Sequence, residues 1–346
     1  MKEYLKTIID KNKKLSDAIE KLHKGGMRIA LVVDKKGLLI GTITDGDIRR
    51  ALINKVDLDS QVKNIMNSNP ILALESQSAS EIDSLMNSKD IMHMPIVNSE
   101  GLLVGLETRY KVYRSKVDNP VLLMAGGFGK RLSPLTDSVP KPLLKVGKKP
   151  ILETIIERFA KYGFYKFYIS THYRSEMIKD YFGDGSKWQI EIKYLDEEKP
   201  MGTGGSLQLL PDLDNEFPLI LMNGDLLTEV NFESLLDHHD KSKSNITVSV
   251  VEYDVQVPYG VLQVNKMKVK QIVEKPIHKF FVNAGIYVIN SNIIDQVRGI
   301  GHLDMPDLVT KEIDSKHGVN MFPLHEEWID IGRPSDLSKA KHLIND

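Results

Sequence analysis

The chain contains no cysteine, which excludes thiol catalysis, disulfide cross-links and cysteine zinc sites together. It has no apolar run near the ~20 residues a membrane-spanning helix needs. Its first residues, MKEYLKTIIDKNKK, are too charged to hold the apolar stretch of a secretory signal. A cytoplasmic protein without membrane contact is therefore expected. An excess of either charge is missing too: 46 Lys and Arg face 47 Asp and Glu. Through Asp118 there are 19 basic and 16 acidic residues, a charge of +3; beyond it there are 27 and 31, a charge of −4. Neither part has the basic surplus with which a nucleic-acid-binding protein neutralises phosphates, so no nucleic-acid partner is expected.

What is present begins with a repeat. MRIALVVDKKGLLIGTIT, starting at Met27, returns as IMHMPIVNSEGLLVGLET, starting at Ile91, and Gly37 and Gly101 stand 64 positions apart. Two copies of one module account for this. Each reads as a helix, an apolar strand (residues 29–33 and 95–97), a glycine-containing turn, a second strand ending at Thr44 or Thr108, and a closing helix. Ser16 and Ser80 are expected to start the helices that precede the copies. The first copy, V-V-D-x-x-G-x-L-x-G-x-I-T-D-G-D-I, resembles the CBS module, which normally occurs in pairs and often binds an adenine nucleotide between the copies. The resemblance implies a regulatory tandem pair over residues 1–117, with copies of about 1–57 and 58–117. A regulatory nucleotide would be held by Thr44 and Asp47, the carboxylate accepting from ribose hydroxyls. Arg109 and Lys111 stand where the first copy has Asp45 and Asp47, so one competent nucleotide site, or a site altered for another anionic ligand, is expected rather than two equivalent ones. A purely structural or dimerising pair is the alternative. Paired CBS modules commonly associate, which makes a homo-oligomer the expectation.

After a polar linker at 115–120 the pattern changes to strands alternating with helices. Residues 121–124, 165–171 and 218–222 read as strands, and 151–162, 206–210, 232–239 and 337–344 as helices. This alternation predicts an α/β domain over residues 118–346 with a mixed, mostly parallel sheet, in which ligands bind beyond the carboxyl ends of the strands. At 346 residues the chain is long enough for both domains.

The loop after the first of these strands is AGGFGKRLSPLTDSVPKPLLKVGKKPIL. Gly126, Gly127 and Gly129 let backbone N–H groups approach a phosphate closely. Arg131 adds a planar fork of donors, and Lys141, between Pro140 and Pro142, a point charge on a stiff segment. The loop is neither a Walker loop, because Gly129-Lys130 is followed by arginine, nor a dinucleotide fingerprint, because Leu132 stands where the last glycine would be. A bland glycine loop carrying surface charges is the remaining alternative.

G-G-x-G-x-R-L-x-P-L-T followed by P-K-P is similar to the signature of the sugar nucleotidyltransferases, whose catalytic domain is Rossmann-like (GT-A-like). Members join a nucleoside triphosphate to a sugar-1-phosphate and release pyrophosphate with Mg2+. The resemblance implies that Arg131 holds the leaving phosphates and Lys141 the reacting one. The nucleotide would lie along Met124, Ala125, Gly126, Gly127 and Gly129, with Gly202 and Thr203 of M-G-T-G-G-S-L contacting base and ribose. Asp225 of N-G-D and Asp330 of W-I-D-I-G-R-P-S-D would carry the metal. Gly260, Glu274, Lys275 and Asn283 would form the sugar-phosphate pocket. Taken singly, Asp225 reads as a turn residue and Asp330 as a surface carboxylate. Phosphoryl-type transfer rests on positioning and charge, which suits two cations and two carboxylates without a general base. His172, His238, His239 and His302 lack ligand-spaced partners and read as packed or solvated, Trp328 as packing, and Asp304-Met-Pro306 as a helix start.

M-G-T-G-G together with V-N-A-G-I-Y looks closest to the guanylyltransferases, including those that make GDP-mannose. A CBS pair in front resembles the glucosamine-1-phosphate guanylyltransferases of bacterial legionaminic acid biosynthesis. GTP and glucosamine-1-phosphate are therefore the expected substrates. Mannose-1-phosphate, or a UTP, CTP or dTTP donor, is the alternative within the class, and a catalytically inactive nucleotide sensor the alternative outside it.

Overall fold

The computed structural model describes residues 3–25, 27–89, 91–108, 116–213 and 217–344, and the chain divides into two units, Met1–Val112 and Tyr113–Asp346. In the front unit the first copy consists of β1 (Ile8–Asp10), α1 (Leu15–Gly25), β2 (Ile29–Val33), β3 (Leu39–Thr44) and α2 (Asp45–Ile53). The second consists of β4 (Ala73–Leu74), α3 (Ala79–Ser88), β5 (His93–Val97) and β6 (Leu103–Thr108). Each forms a three-stranded sheet whose first strand runs parallel, and third antiparallel, to the middle one.

The repeat reaches down to its turns. Asp34 Oδ1 accepts from the N–H groups of Lys36 and Leu38, and Asn98 Oδ1 from those of Glu100 and Leu102. Gly37 and Gly101 follow at φ +85° and +80°, a region that only glycine enters freely. The two turns then pair with each other: Leu39 N donates to Gly101 O (3.2 Å) and Leu103 N to Gly37 O (3.1 Å). Two sequence expectations need correction here. Ser16 lies inside α1, where Lys14 N donates to Asp17 Oδ2 (3.0 Å). Ser78 rather than Ser80 caps α3, because Glu81 three residues later returns the bond, its carboxylate accepting from Ser78 N at 2.7 Å. The closing helix expected for the second copy, with Arg109 and Lys111, lies outside the described residues.

The back unit runs β7 (Val121–Met124), β8 (Lys145–Val146), β9 (Lys149–Pro150), α4 (Ile151–Lys161), β10 (Lys166–Thr171), α5 (Ser175–Phe182), β11 (Glu191–Asp196), β12 (Leu219–Asn223) and β13 (Leu226–Thr228). It continues through α6 (Phe232–Ser242), β14 (Ile246–Gln256), β15 (Val261–Asn265), β16 (Lys268–Val273), β17 (Ile277–Ile289), α7 (Ser291–Gln296), α8 (Met305–Ile313), β18 (Val319–Leu324), β19 (Trp328–Asp330) and α9 (Pro334–Ile344). The helix expected over 206–210 is a 3-10 segment, Gly205–Leu209, and the last helix begins at Pro334 rather than 337. Among the described residues no helix is long and apolar enough to cross a membrane.

Seven strands form one sheet in the order β11-β10-β7-β12-β17-β14-β18, with β17 antiparallel to six co-directional strands. Runs such as Val121-Leu-Leu-Met are apolar throughout because both faces are covered. Val121 and Leu123 enter one core, with Phe159 of α4 and Phe232 of α6; Leu122 enters the other, with Ile293 of α7 and Met305 of α8. The rings of Phe159 and Phe232 stack at 3.7 Å. Because β10 and β12 flank β7 on opposite sides, the chain diverges beyond the carboxyl end of β7 and leaves a crevice there. Phe159→Ala is expected to cost the back unit about 3–5 kcal/mol, the range for emptying a buried aromatic site, read as an earlier denaturant-unfolding transition.

Candidate active site

The crevice is lined first by the loop leaving β7. Gly129 sits at φ +66°, and a β-carbon there would lie 2.8 Å from Thr136 Cγ2. Thr136 Oγ1 also donates to Gly129 O (2.9 Å), which closes the loop on itself. Gly127 faces open space, leaving its backbone accessible. The turn continues into Lys130–Leu132, where buried Leu132 anchors the loop and its neighbour Arg131 stays exposed. Phe128 lies edge-on to His172 at 5.6 Å.

Four charged groups then converge. Lys141, 8% exposed, is held in the turn Lys141–Leu143 and makes a short ion pair with Asp225 Oδ2. Asp225 arrives because Gly224 crosses the end of β7: its N–H donates to Met124 O (2.9 Å), and a β-carbon would stand 2.6 Å from that oxygen. The following strand, β13, pairs antiparallel with β19, which sets Leu226 opposite Asp330. Asp330 is thereby a neighbour of Asp225, and Ile331 N donates to Asp225 O (3.2 Å). Burial, and next the Asp225 charge, push the Asp330 carboxyl above the ordinary aspartate range, while Lys141 and Arg131 pull it down. Arg131 reaches Gly332, where a β-carbon would be 3.6 Å from its guanidinium, and has no ion-pair partner among the described residues. Arg131, Lys141, Asp225 and Asp330 thus share one pocket.

Asp225 Oδ1 is buried without a hydrogen-bond partner, a costly state for a carboxylate oxygen. Two adjacent carboxylates, one with an unused oxygen, match the oxygen donor set that a hard divalent cation takes, with further places left for water and phosphate. The residues present therefore fit Mg2+.

The other expected residues fall into three groups. Gly202 (φ +86°) approaches Leu303 so closely that a β-carbon would sit 2.5 Å from its carbonyl oxygen. The side chain of Thr203 is engaged: Asp304 Oδ1 accepts from its N–H (2.9 Å) and hydroxyl (3.2 Å), and the hydroxyl accepts from Met305 N (2.9 Å). Asp304 does start α8, and it also ties this loop down. Asn283 Oδ1 accepts from Gly285 N (2.9 Å), and a β-carbon on Gly285 would strike Asn223 Nδ2 at 2.6 Å, so this segment lies against the one that presents Asp225. Gly260 and Glu274 meet on the outer hairpin, Glu274 Oε2 lying 2.9 Å from a β-carbon at 260, and Lys275 takes φ +46°. Trp328 packs, its Nε1–H donating to Ala284 O (2.9 Å). His239 packs as well, between Thr247 (2.8 Å) and Asn290 (2.9 Å), and burial lowers its pKa.

Sequence reasoning missed Glu197. Its Oε1 lies 3.3 Å from a β-carbon at Gly126. It accepts a short bond from the Ser170 hydroxyl and another from Met201 N at 3.1 Å, while its carbonyl accepts from His172 Nδ1 at 2.7 Å. An acidic residue five positions before Gly202 was the available signal. In the front unit, Asp47 is already occupied: Oδ2 accepts from Thr44 N and Oγ1, both at 2.8 Å, and Oδ1 from Arg50 at 2.5 Å.

Residues 120–346 match the Nucleotidyl transferase family, and residues 6–54 and 62–109 match the CBS domain. The mannose-1-phosphate guanylyltransferase 1 of Arabidopsis thaliana is 32% identical over 239 residues, 65% of this chain and 64% of that protein. The mannose-1-phosphate guanyltransferase of Yarrowia lipolytica is 30% identical over 228 residues, 62% of this chain and 61% of that protein. The chain thus spans somewhat less than two thirds of these relatives. Among solved structures, HddC from Yersinia pseudotuberculosis superposes with a TM-score of 0.52 at 26% identity, covering 65% of this chain and 99% of that one. A Bacillus anthracis protein assigned as a glucose-1-phosphate thymidylyltransferase, solved with a sucrose, shares the fold at a TM-score of 0.54 and 21% identity, covering 66% and 95%. With a family match running from residue 120 to residue 346, the chain belongs to the nucleotidyl transferase family and carries a CBS domain pair ahead of that domain.

Proposed function

We propose that the back unit transfers GMP from GTP to a sugar-1-phosphate, glucosamine-1-phosphate first, and releases pyrophosphate. The reading is carried by the convergence of Arg131, Lys141, Asp225 and Asp330 in one pocket. In this reaction an oxygen of the sugar phosphate bonds to the α-phosphorus as the bond to the bridging oxygen of pyrophosphate breaks. No proton has to be removed, because the attacking phosphate is already ionised near neutral pH. The task is to hold two polyanions together and neutralise the charge they share, which is positional and electrostatic work. Arg131, exposed and unpaired, suits the departing phosphates, and Lys141 the central one. Asp225 and Asp330 would hold Mg2+, which when bound supplies positive charge to the phosphate oxygens.

Glu197 supports guanine. Each carboxylate oxygen has two lone pairs, so after Ser170 and Met201 are served, one acceptor site remains on each oxygen. Guanine presents two adjacent donors, N1–H and N2–H, to such a pair. Uracil and thymine offer one donor between two carbonyls, which a carboxylate repels. The names of the curated relatives also point to a guanylyl donor and to mannose-1-phosphate as the alternative sugar. Glucosamine-1-phosphate rests on the CBS pair in front of the domain. That pair, in this reading, senses a nucleotide through Thr44 and Asp47, in a cytoplasmic homo-oligomer.

Asp225→Asn and Arg131→Ala are each expected to lower turnover on the order of 10²-fold or more, as does removal of one preorganised transition-state contact; near-normal rates in both would discredit the assignment. Glu197→Gln is expected to lower kcat/KM for GTP by roughly 10- to 100-fold, the loss of a hydrogen bond to a charged acceptor, while leaving UTP less affected; an unchanged preference removes the guanine argument. Calorimetry of the full chain with adenine, guanine and cytidine nucleotides is expected to show affinity that falls at least tenfold in Asp47→Ala, and a chain that binds none of them outside the catalytic pocket has no regulatory site.

A further inference from the structure

The loop after β7 is gripped by one dipeptide, Tyr173-Arg174, in the turn between β10 and α5. Its first end is held by the backbone, where Tyr173 N donates to Gly126 O (3.4 Å). Further along, the ring of Phe128 lies 5.5 Å from that of Tyr173, tilted by 48°. At the far end the Tyr173 hydroxyl donates to Thr136 O and Asp137 O, shared at 3.2 Å to each. A tyrosine hydroxyl can accept as well as donate, and this one accepts from Arg174 Nε (2.9 Å), while Arg174 Nη2 donates to Asp137 O at 2.7 Å. Thr136 is also the residue that closes on Gly129. Both ends of the loop, with the glycine turn and Arg131 between them, therefore share one anchor.

Arg174 takes this place in a backbone conformation that suits it badly. It sits at φ +52°, in the left-handed region that a residue with a β-carbon enters only at a cost. Such a conformation persists where the surroundings hold it, and it gathers at clamps around ligands. Here the guanidinium supplies the hold, through its bonds to Asp137 O and to the Tyr173 hydroxyl. A loop with glycine at 126, 127 and 129 samples many conformations when nothing restrains it, because no β-carbon limits φ and ψ there. Ordering such a loop at the moment of binding weakens affinity, whereas a loop ordered beforehand loses less freedom.

We propose that Tyr173 and Arg174 are positioning residues, a brace that holds this loop in its phosphate-binding shape before the nucleotide arrives. The inference rests on the reading of the loop as the triphosphate cradle. Limited trypsin digestion of the ligand-free full chain tests the brace without that reading, because exposed Lys130 and Arg131 lie inside the loop. Fragment masses identify cleavage there. Tyr173→Phe keeps the ring but loses the hydroxyl, and is expected to be cut roughly fivefold faster, since cleavage follows the population of the opened loop. Arg174→Gly relieves the left-handed backbone, so its unfolding midpoint is expected to equal or exceed that of the wild type while its loop is also cut faster. Wild-type cutting rates in both variants, or faster cutting only where the midpoint has fallen, overturn the brace. Turnover and calorimetry with Mg2+ and GTP read the consequence. Tyr173→Phe is expected to raise both Kd and KM for GTP about tenfold, with kcat and the KM for the sugar phosphate little changed, the pattern of lost ground-state binding. Wild-type affinity in a variant whose loop is cut faster overturns the proposal. A wild type with no affinity for GTP, UTP, CTP or dTTP overturns it through the reading it rests on, and the digestion separates that failure from a failure of the brace.

Discussion

Two carboxylates forced side by side repel unless positive charge lies near them, and the pocket of the back unit is arranged around that constraint. The antiparallel pairing of β13 with β19 sets Asp225 and Asp330 together, and burial first, then the Asp225 charge, hold the Asp330 carboxyl above the ordinary aspartate range. Lys141 answers part of it from a nearly buried position. Oδ1 of Asp225 is left buried without a hydrogen-bond partner. Breaking such a partly buried arrangement on one side leaves an uncompensated charge, so the elements that deliver the four groups are tied to one another closely.

Those ties are close approaches at glycines, two of them to backbone and one to a side-chain amide. Gly224 against Met124, Gly285 against Asn223 and Gly202 against Leu303 all place a would-be β-carbon within 2.6 Å of another heavy atom. Gly285 ties β17 to the end of β12, Gly224 ties the turn after β12 to the end of β7, and Gly202 ties its loop to the segment before α8, so the pocket is fixed by the sheet beneath it. The hairpin built from β14 to β17 works differently. Gly260, Glu274 and Lys275 sit where the arm rooted in the sheet passes into the exposed ribbon. Whatever steadies the ribbon therefore also fixes these three.

Much of this was legible in the sequence, for identifiable reasons. The buried strand Val121–Met124 and the phosphate loop after it stand out because apolar β-branched or leucine runs and glycine clusters have few competing explanations. The repeat of 64 residues was visible as text, and reappears as the reciprocal pairing of Gly37 and Gly101. Cap positions were less legible: Ser16 and Ser80 are good capping residues, yet Asp17 and the Ser78–Glu81 pair took the role through bonds three residues apart. The adjacency of Asp225 and Asp330 was expected from family resemblance and could not be read from spacing, since a two-strand ladder between residues about 100 positions apart leaves no local trace. Glu197 escaped for a similar reason, because its meaning comes from Gly126 in the loop after β7 and Ser170 on β10.

Phosphorus NMR of the full chain with GTP, glucosamine-1-phosphate and Mg2+ reads the bond that the pocket is held to make. The account predicts the paired doublets of a new diphosphate ester growing in equal amount with pyrophosphate, and only when the sugar phosphate is present. Inorganic phosphate as the sole product, or no change with any triphosphate and sugar-1-phosphate, would contradict it.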